Sequence, residues 1–422
     1  MDKSLSYNKE IINWGYLLGY FCLFLVLPPI IGLPFILYVV WKKSHPKYSD
    51  YLLLMACIAI YLGSINATKQ PSGDQVNYYV AYMNVPDIEF LKSLIYIYGL
   101  DLLSDPGQTS ISGEFMNGVY NYLGYYLTFG YYPLFAALYT FVEYLMIYLG
   151  LYKVFRKAQM PKYPIVCGIL TLSFFYLFFQ YTLHIQKQFF AQAIMMYVLG
   201  SYAEKGKMTI KLWLIALCSI LTHASTGLFL PFLLLKPLRG RLNKKWMAFI
   251  ALMLFSFILY GPRMAENVAS DNSGVAGYGM KRFAELEGQD DLTGGLVMSQ
   301  ILVIAVPMFM IVFRQLWIKR HVLIDEAQAF ILNITLLLLL SVASMYSKPL
   351  AQYRYFMMLL AFMPFVYPFI SSNVSKRNQW LMIISLVMVV WFYFQFSKII
   401  WNYAPEWQIL VYPPGGLIAR GF

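Results

Sequence analysis

Apolar residues along this chain gather into long blocks separated by short polar stretches, at about 14 to 41, 51 to 66, 133 to 152, 164 to 181, 185 to 203, 212 to 235, 246 to 261, 297 to 318, 328 to 346, 352 to 371 and 379 to 401. Each is long enough, or nearly so, to cross a hydrocarbon core of roughly 30 Å as a helix. The pattern predicts an all-α polytopic integral membrane protein, a single transmembrane domain over residues 1–422 with about 11–12 transmembrane helices. The first block is too long for the core of a signal peptide and no small-residue cleavage site follows it, so it is expected to stay as a transmembrane helix.

Lysine and arginine set the orientation. Lys42, Lys43 and Lys47 place the first loop in the cytoplasm and, with one crossing over 14–41, the N-terminus outside. Simple alternation then fails at the densest basic cluster, Lys236, Arg239, Arg241, Lys244 and Lys245, which it would put outside. The conflict disappears if the run ending at Pro237 is two short helices joined at Thr222, His223, Ala224 and Ser225. His223 would then sit at an outer tip. Two outer segments result, residues 67–131 with amphipathic interfacial helices and residues 262–296.

Composition narrows the function classes. With 60% hydrophobic and 12% charged residues and a mean hydropathy of +0.58, the chain is not a water-soluble domain. Its net charge of +12 is dispersed between apolar blocks in the positive-inside manner, which argues against a nucleic-acid partner. Cys22, Cys57, Cys167 and Cys218 all lie inside apolar runs and are expected to pack rather than form disulfides or bind zinc.

Candidate chemistry collects on the outer side. In KQPSGDQVNYYVAYMNV, Asp74, Asn77, Tyr78, Ala81 and Tyr82 share one face if a helix begins near Ser72. Glu114 and a tyrosine-rich segment come next. In YTLHIQKQFFAQAIMMY, His184, Lys187, Gln188, Ala191 and Gln192 form a polar or small stripe that should face the bundle or a wet cavity. Arg354 and Tyr355 open another helix from the same side. Tyrosine also collects at interfaces because its ring is amphipathic, Lys187 suits snorkelling, and a carboxylate at 74 suits a helix cap. Glu143, within TFVEYLMIY, suits either an interhelical hydrogen bond or proton coupling.

These motifs, in this order, resemble the EpsG-like and Wzy-type polysaccharide polymerases: Gly73-Asp74 with Asn77 and Tyr78, Glu114-Phe115, Lys187-Gln188 with Ala191, His223 with Ser225 and Pro231, and Arg354-Tyr355. Lys187 stands where an arginine is expected, which keeps the charge and loses the bidentate fork. The resemblance implies a bacterial inner-membrane glycosyltransferase that joins repeat units carried on undecaprenyl pyrophosphate, at the periplasmic face, into O-antigen, capsule or a related polysaccharide. Such an enzyme needs a base, for which Asp74 and His223 are candidates, and cations for the pyrophosphate, for which Lys187, Arg354 and His184 are candidates. Asn77, Tyr78, Tyr82, Glu114, Gln188 and Tyr355 are expected on the sugars. No cofactor is implied beyond the lipid carrier. An Asp-x-Asp motif is absent, so no metal is expected. The implied partners are the lipid-linked oligosaccharide, the membrane, a chain-length regulator and an upstream flippase. A lipid-linked oligosaccharide flippase or transporter, or an O-antigen ligase, would share much of this pattern.

Overall fold

The computed structural model describes residues 12–71, 74–87, 115–243, 295–319, 324–345, 349–396 and 403–421, with isolated positions at 90, 245, 246, 248–250, 252 and 256. Its regular elements are helical: α1 (Trp14–Val26), α2 (Pro29–Trp41), α3 (Tyr48–Ala67), α4 (Asp74–Met83), α5 (Met116–Leu127), α6 (Tyr132–Lys157), α7 (Lys162–Phe174), α8 (Tyr176–His184), α9 (Gln186–Lys205) and α10 (Ile210–Thr222). The chain continues through α11 (Gly295–Phe313), α12 (Glu326–Ser344), α13 (Pro349–Leu360), α14 (Val374–Phe396), α15 (Glu406–Val411) and α16 (Pro414–Arg420).

The all-α membrane architecture is as the sequence pattern predicts. Among the described residues, Tyr48–Ala67, Tyr132–Lys157, Met298–Ile318, Glu326–Ser344 and Val374–Phe396 are long and apolar enough to cross a bilayer. The pair Lys162–Phe174 and Tyr176–Leu183, bent by 59°, is a sixth if it forms one span. The run 185–203 forms one 20-residue helix, Gln186–Lys205, that is not among these apolar spans, and the remaining runs are broken or lie outside the described residues. Over 352–371 the helix stops at Leu360, and Pro364 and Pro368 divide the remainder of the run into short turns. The expected break after Thr222 is present: α10 ends there, His223 is extended, and a 3₁₀ turn runs from Ala224 to Phe229. Most of the predicted loop 262–296 lies outside the described residues.

Chain contacts divide the protein into two compact units. The first comprises residues 1–70, 133–145 and 400–422. It corrects the reading of 14–41 as one crossing. Pro28 has no N–H to donate and Leu27, before it, turns to an extended conformation, so the block folds into two helices of 13 residues. Each is about 20 Å long, short of the roughly 30 Å needed to span. Asn13 at the start of α1 donates its backbone N–H to Ser49 Oγ at 3.4 Å, and Lys43 reaches Tyr16 and Asp50. The two ends of the hairpin therefore lie on one side, and residue 13 shares the side of the 42–50 loop rather than the opposite one.

The core of this unit is α3, buried along nearly all of its length. Asn66 Nδ2 donates to Thr140 Oγ1 at 2.9 Å, and one turn further along α6 Glu143 is buried with no donor to its Oε1 among the described residues. Just past α3, Lys69 is 3% exposed, its Nζ 5.8 Å from the centre of the Tyr403 ring. Burial lowers its ammonium pKa to about 7 from the usual 10.5. Between these values the unfolded chain holds a proton that the folded chain lacks, so stability rises with pH across that window and carries the full penalty below pH 7. Lys69→Met is expected to raise the melting temperature in detergent at pH 6.5, with a gain that shrinks toward pH 10. A gain independent of pH would place the ammonium in water.

The second unit comprises residues 71–132 and 146–399. Its centre is α9, buried through most of its length and paired with α10. The α8–α13 and α12–α13 pairs and the α4–α5 pair complete the set of helices that place the candidate residues.

Candidate functional site

The apolar run from Tyr176 to Lys205 does not form one helix. At Ile185 the backbone leaves the helical region (φ −95°, ψ 58°), ending α8 and starting α9. Such a break exposes carbonyls at one end and N–H groups at the other. Gln75 of α4 satisfies part of the first set by donating its amide to Leu183 O. Ile185, at the N-cap of α9, offers no side-chain acceptor to the N–H groups that open the helix, and no side-chain cap is present among the described residues. Lys187 stands in this turn, 5% exposed, with Nζ 5.7 Å from the centre of the Tyr78 ring. A cation at the positive end of a helix dipole is unfavourable by itself and becomes favourable when an anion sits beside both.

Glutamines tie α9 to the helix that carries the second cation. Gln188 Nε2 donates to Arg354 O at 3.4 Å, and one turn on, Gln192 Nε2 donates to Met358 O at 2.7 Å. The edge-on rings of Tyr181 and Tyr353, 5.1 Å apart, fix α8 to α13. Arg354 and Tyr355 are half-buried on α13. Gln186, Gln188 and Gln192 each bury an amide oxygen with no donor among the described residues.

His223 is held from the opposite end of α10. Ser219 donates its hydroxyl to Ala191 O at 2.7 Å, and Thr226 Oγ1 donates to His223 O at 3.0 Å. The half-buried imidazole has Ser225 Oγ 2.7 Å from Nδ1, and the Ser225 N–H donates to Nδ1 at 3.3 Å. An N–H pointed at Nδ1 makes that nitrogen the acceptor, which leaves the ring proton of the neutral imidazole on Nε2. This geometry suits His223 as a donor more than as a base. Tyr120 of α5 stands beside this turn, its hydroxyl 3.1 Å from Thr222 Oγ1 and its ring 5.0 Å from that of Phe190. Burial raises the Tyr120 phenol pKa, which keeps it neutral.

The structure thus brings Tyr78, Lys187, Gln188 and the α13 backbone at Arg354 into one neighbourhood, with the His223 turn braced on α9 through Ser219. Asp74 opens α4, one turn before Tyr78. Asn77 is half-buried there. Tyr82, expected on a sugar, is instead fully buried, its hydroxyl 2.6 Å from Thr128 Oγ1 and its ring packed on Tyr125 and Tyr132. It is a pillar between α4 and α5. His184 is the last residue of α8, and Glu114 lies outside the described residues. Gln75, Tyr120 as a clasp on Thr222, and buried Lys69 were not singled out by the sequence pattern. A glutamine in a polar stretch and a lysine flanking a span carry no signal that separates them from solvated residues. No three His, Cys, Asp or Glu side chains group at metal-binding distance among the described residues.

A family model described as the EpsG family matches residues 94–413. Lys187, His223 and Arg354 fall inside that match, whereas Asp74, Asn77 and Tyr78 precede it. No curated protein and no solved structure matches the chain.

Proposed function

The chain belongs to the EpsG family of Wzy-type polysaccharide polymerases, and from that premise we propose that it joins oligosaccharide repeat units carried on undecaprenyl pyrophosphate, at the periplasmic face of a bacterial inner membrane. The observation that carries this reading is the pairing of buried Lys187 with the uncapped N-terminus of α9, beside Tyr78 and next to the Arg354 helix. A pyrophosphate is the kind of anion that such a site favours.

In the proposed reaction a sugar hydroxyl of one lipid-linked unit attacks the anomeric carbon of another chain. The new C–O bond forms as the bond from that carbon to the pyrophosphate breaks, and the electron pair leaves with the pyrophosphate. Asp74 takes the hydroxyl proton. Lys187, the N–H groups of α9 and Arg354 balance the departing charge, with His184 near the break. His223 donates from Nε2 to a leaving-group oxygen. Asn77, Tyr78, Gln188 and Tyr355 contact the sugars, Glu114 joins them, and Tyr82 holds α4 in place through Thr128 and Tyr125. The reading assigns the charge to side chains and needs no metal. A chain-length regulator and an upstream flippase in the same membrane are the proposed partners.

Deletion of the gene, followed by gel analysis of surface glycan and lipid-linked intermediates, tests the reading. The expected result is a ladder reduced to a single repeat unit, restored by the wild type and not by Asp74→Asn or His223→Gln at equal membrane level. Ser225→Ala, which removes one of the two contacts holding Nδ1, is expected to restore a shortened ladder, at a rate about tenfold down. Long chains accumulating on the carrier lipid would instead indicate a ligase. Single units trapped on the cytoplasmic side would indicate a flippase.

A further inference from the structure

At 10 residues, α4 is too short to persist as a helix in water unless it docks on its neighbours. Its docked face is narrow. Gln75, Tyr78 and Tyr82, spaced i, i+3 and i+7, are buried, while Val76 and Met83 on its other sides are exposed. Each of the three buried residues meets a different element. Tyr82 holds the C-terminal end of α4 against α5 through Thr128 and Tyr125. Tyr78 lies against the Lys187 ammonium of α9. Gln75 holds the N-terminal end by donating its amide to Leu183 O. That acceptor belongs to the last turn of α8, whose carbonyls have no partner within the helix. Leu183 is 1% exposed, so water does not take the place of a lost donor there.

We propose that Gln75 is a positioning residue: it sets α4 on the break between α8 and α9, so that the Tyr78 ring stays against the Lys187 ammonium during turnover. The inference rests on the functional reading above and adds what holds the α4 half of the site to the α9 half. Gln75 and Tyr82 are seven residues apart, about 10 Å along the helix axis, with Tyr78 between them. Without the Gln75 contact, α4 is pinned at Tyr82 and swings about that end. Displacement grows with distance from the pivot, so Tyr78 shifts and the backbone at residue 74 shifts further. Small misplacements of this kind cost turnover because the reacting groups no longer meet in one geometry. Gln75 therefore acts through Tyr78 and Lys187.

The test uses the full chain in nanodiscs with lipid-linked repeat units. Gln75→Met keeps the length and removes the donor, and it is expected to lower kcat about tenfold with KM changed by less than about twofold. In a Lys187→Met background the same change is expected to cost less than about twofold, since a residue that acts through Lys187 has nothing left to position. Gln75→Glu donates to Leu183 O only as the neutral acid, so its turnover relative to the wild type is expected to rise as the pH falls from about 9 to about 5. Hydrogen exchange of residues 74–83 is expected to quicken in Gln75→Met. Ser385→Ala, which removes a buried hydroxyl bonded to Cys167 O at 3.2 Å in the same unit, is the control for a purely structural loss and is expected to change neither kcat nor that exchange. A loss that repeats in full in the Lys187→Met background, or a Gln75→Glu ratio that is flat with pH, overturns the proposal. Full turnover and unchanged exchange in Gln75→Met overturn it too and leave the functional reading intact. A wild-type protein that does not extend lipid-linked units overturns the functional reading and the positioning role together.

Discussion

Replacement of Lys187 by methionine is expected to lower the rate of chain growth by about 10²–10³-fold while the amount of folded protein in the membrane stays the same. Two features of the site produce this outcome. Before substrate arrives, the ammonium is only 5% exposed at the positive end of α9, and methionine, of similar length, fills the same space. When the glycosidic bond breaks, the same ammonium faces new negative charge in a place sheltered from water, where each preorganised donor matters most. The loss should therefore fall mainly on kcat measured with purified protein and lipid-linked repeat units, with a smaller change in KM. Lys187→Arg is expected to recover much of the rate because it keeps the charge and adds a fork. If the methionine variant turns over like the wild type, the pyrophosphate does not bind at the start of α9.

Hydropathy registers the environment of each residue, so the membrane class, the polar stripe through Lys187, Gln188 and Gln192, and the break at His223 are all legible in pattern and charge. It registers continuity poorly. Residues 14–41 are apolar throughout, and only Pro28 and the extended turn at Leu27 convert one expected crossing into a hairpin. The division into units has the same origin, because α6 gives residues 133–145 to one unit and the residues from 146 onward to the other without any change in composition. Tyrosines are the hardest to assign. Tyr78, beneath the Lys187 ammonium, and Tyr82, sealed against Thr128, are one turn apart on the same helical face. Their roles separate only when the partners on α9 and α5 are known.

Gly200→Ala is expected to lower the population of folded protein severely, by about 3 kcal/mol, although it lies far along α9 from Lys187. A Cβ at Gly200 would overlap Gly150 O, and one at Gly150 would stand 2.5 Å from Met196 O. The backbones of α6 and α9 therefore touch at this crossing, as close helix pairs in membranes do where small residues meet. The obstacle is backbone, which cannot rotate aside as a side chain can, so the helices must separate and lose packing on both sides of the contact. Because both glycines serve one crossing, the double variant is expected to cost little more than either single one, a coupling measurable by a double-mutant cycle in denaturant titrations of the detergent-solubilised protein. Gly200 and Lys187 then separate two kinds of failure on the same helix. The glycine variant should lose folded molecules while those that remain keep their turnover, and the lysine variant should keep its molecules and lose turnover. Additive costs at the two glycines, or a Gly200→Ala protein of full stability, would mean that α6 and α9 do not meet at this point.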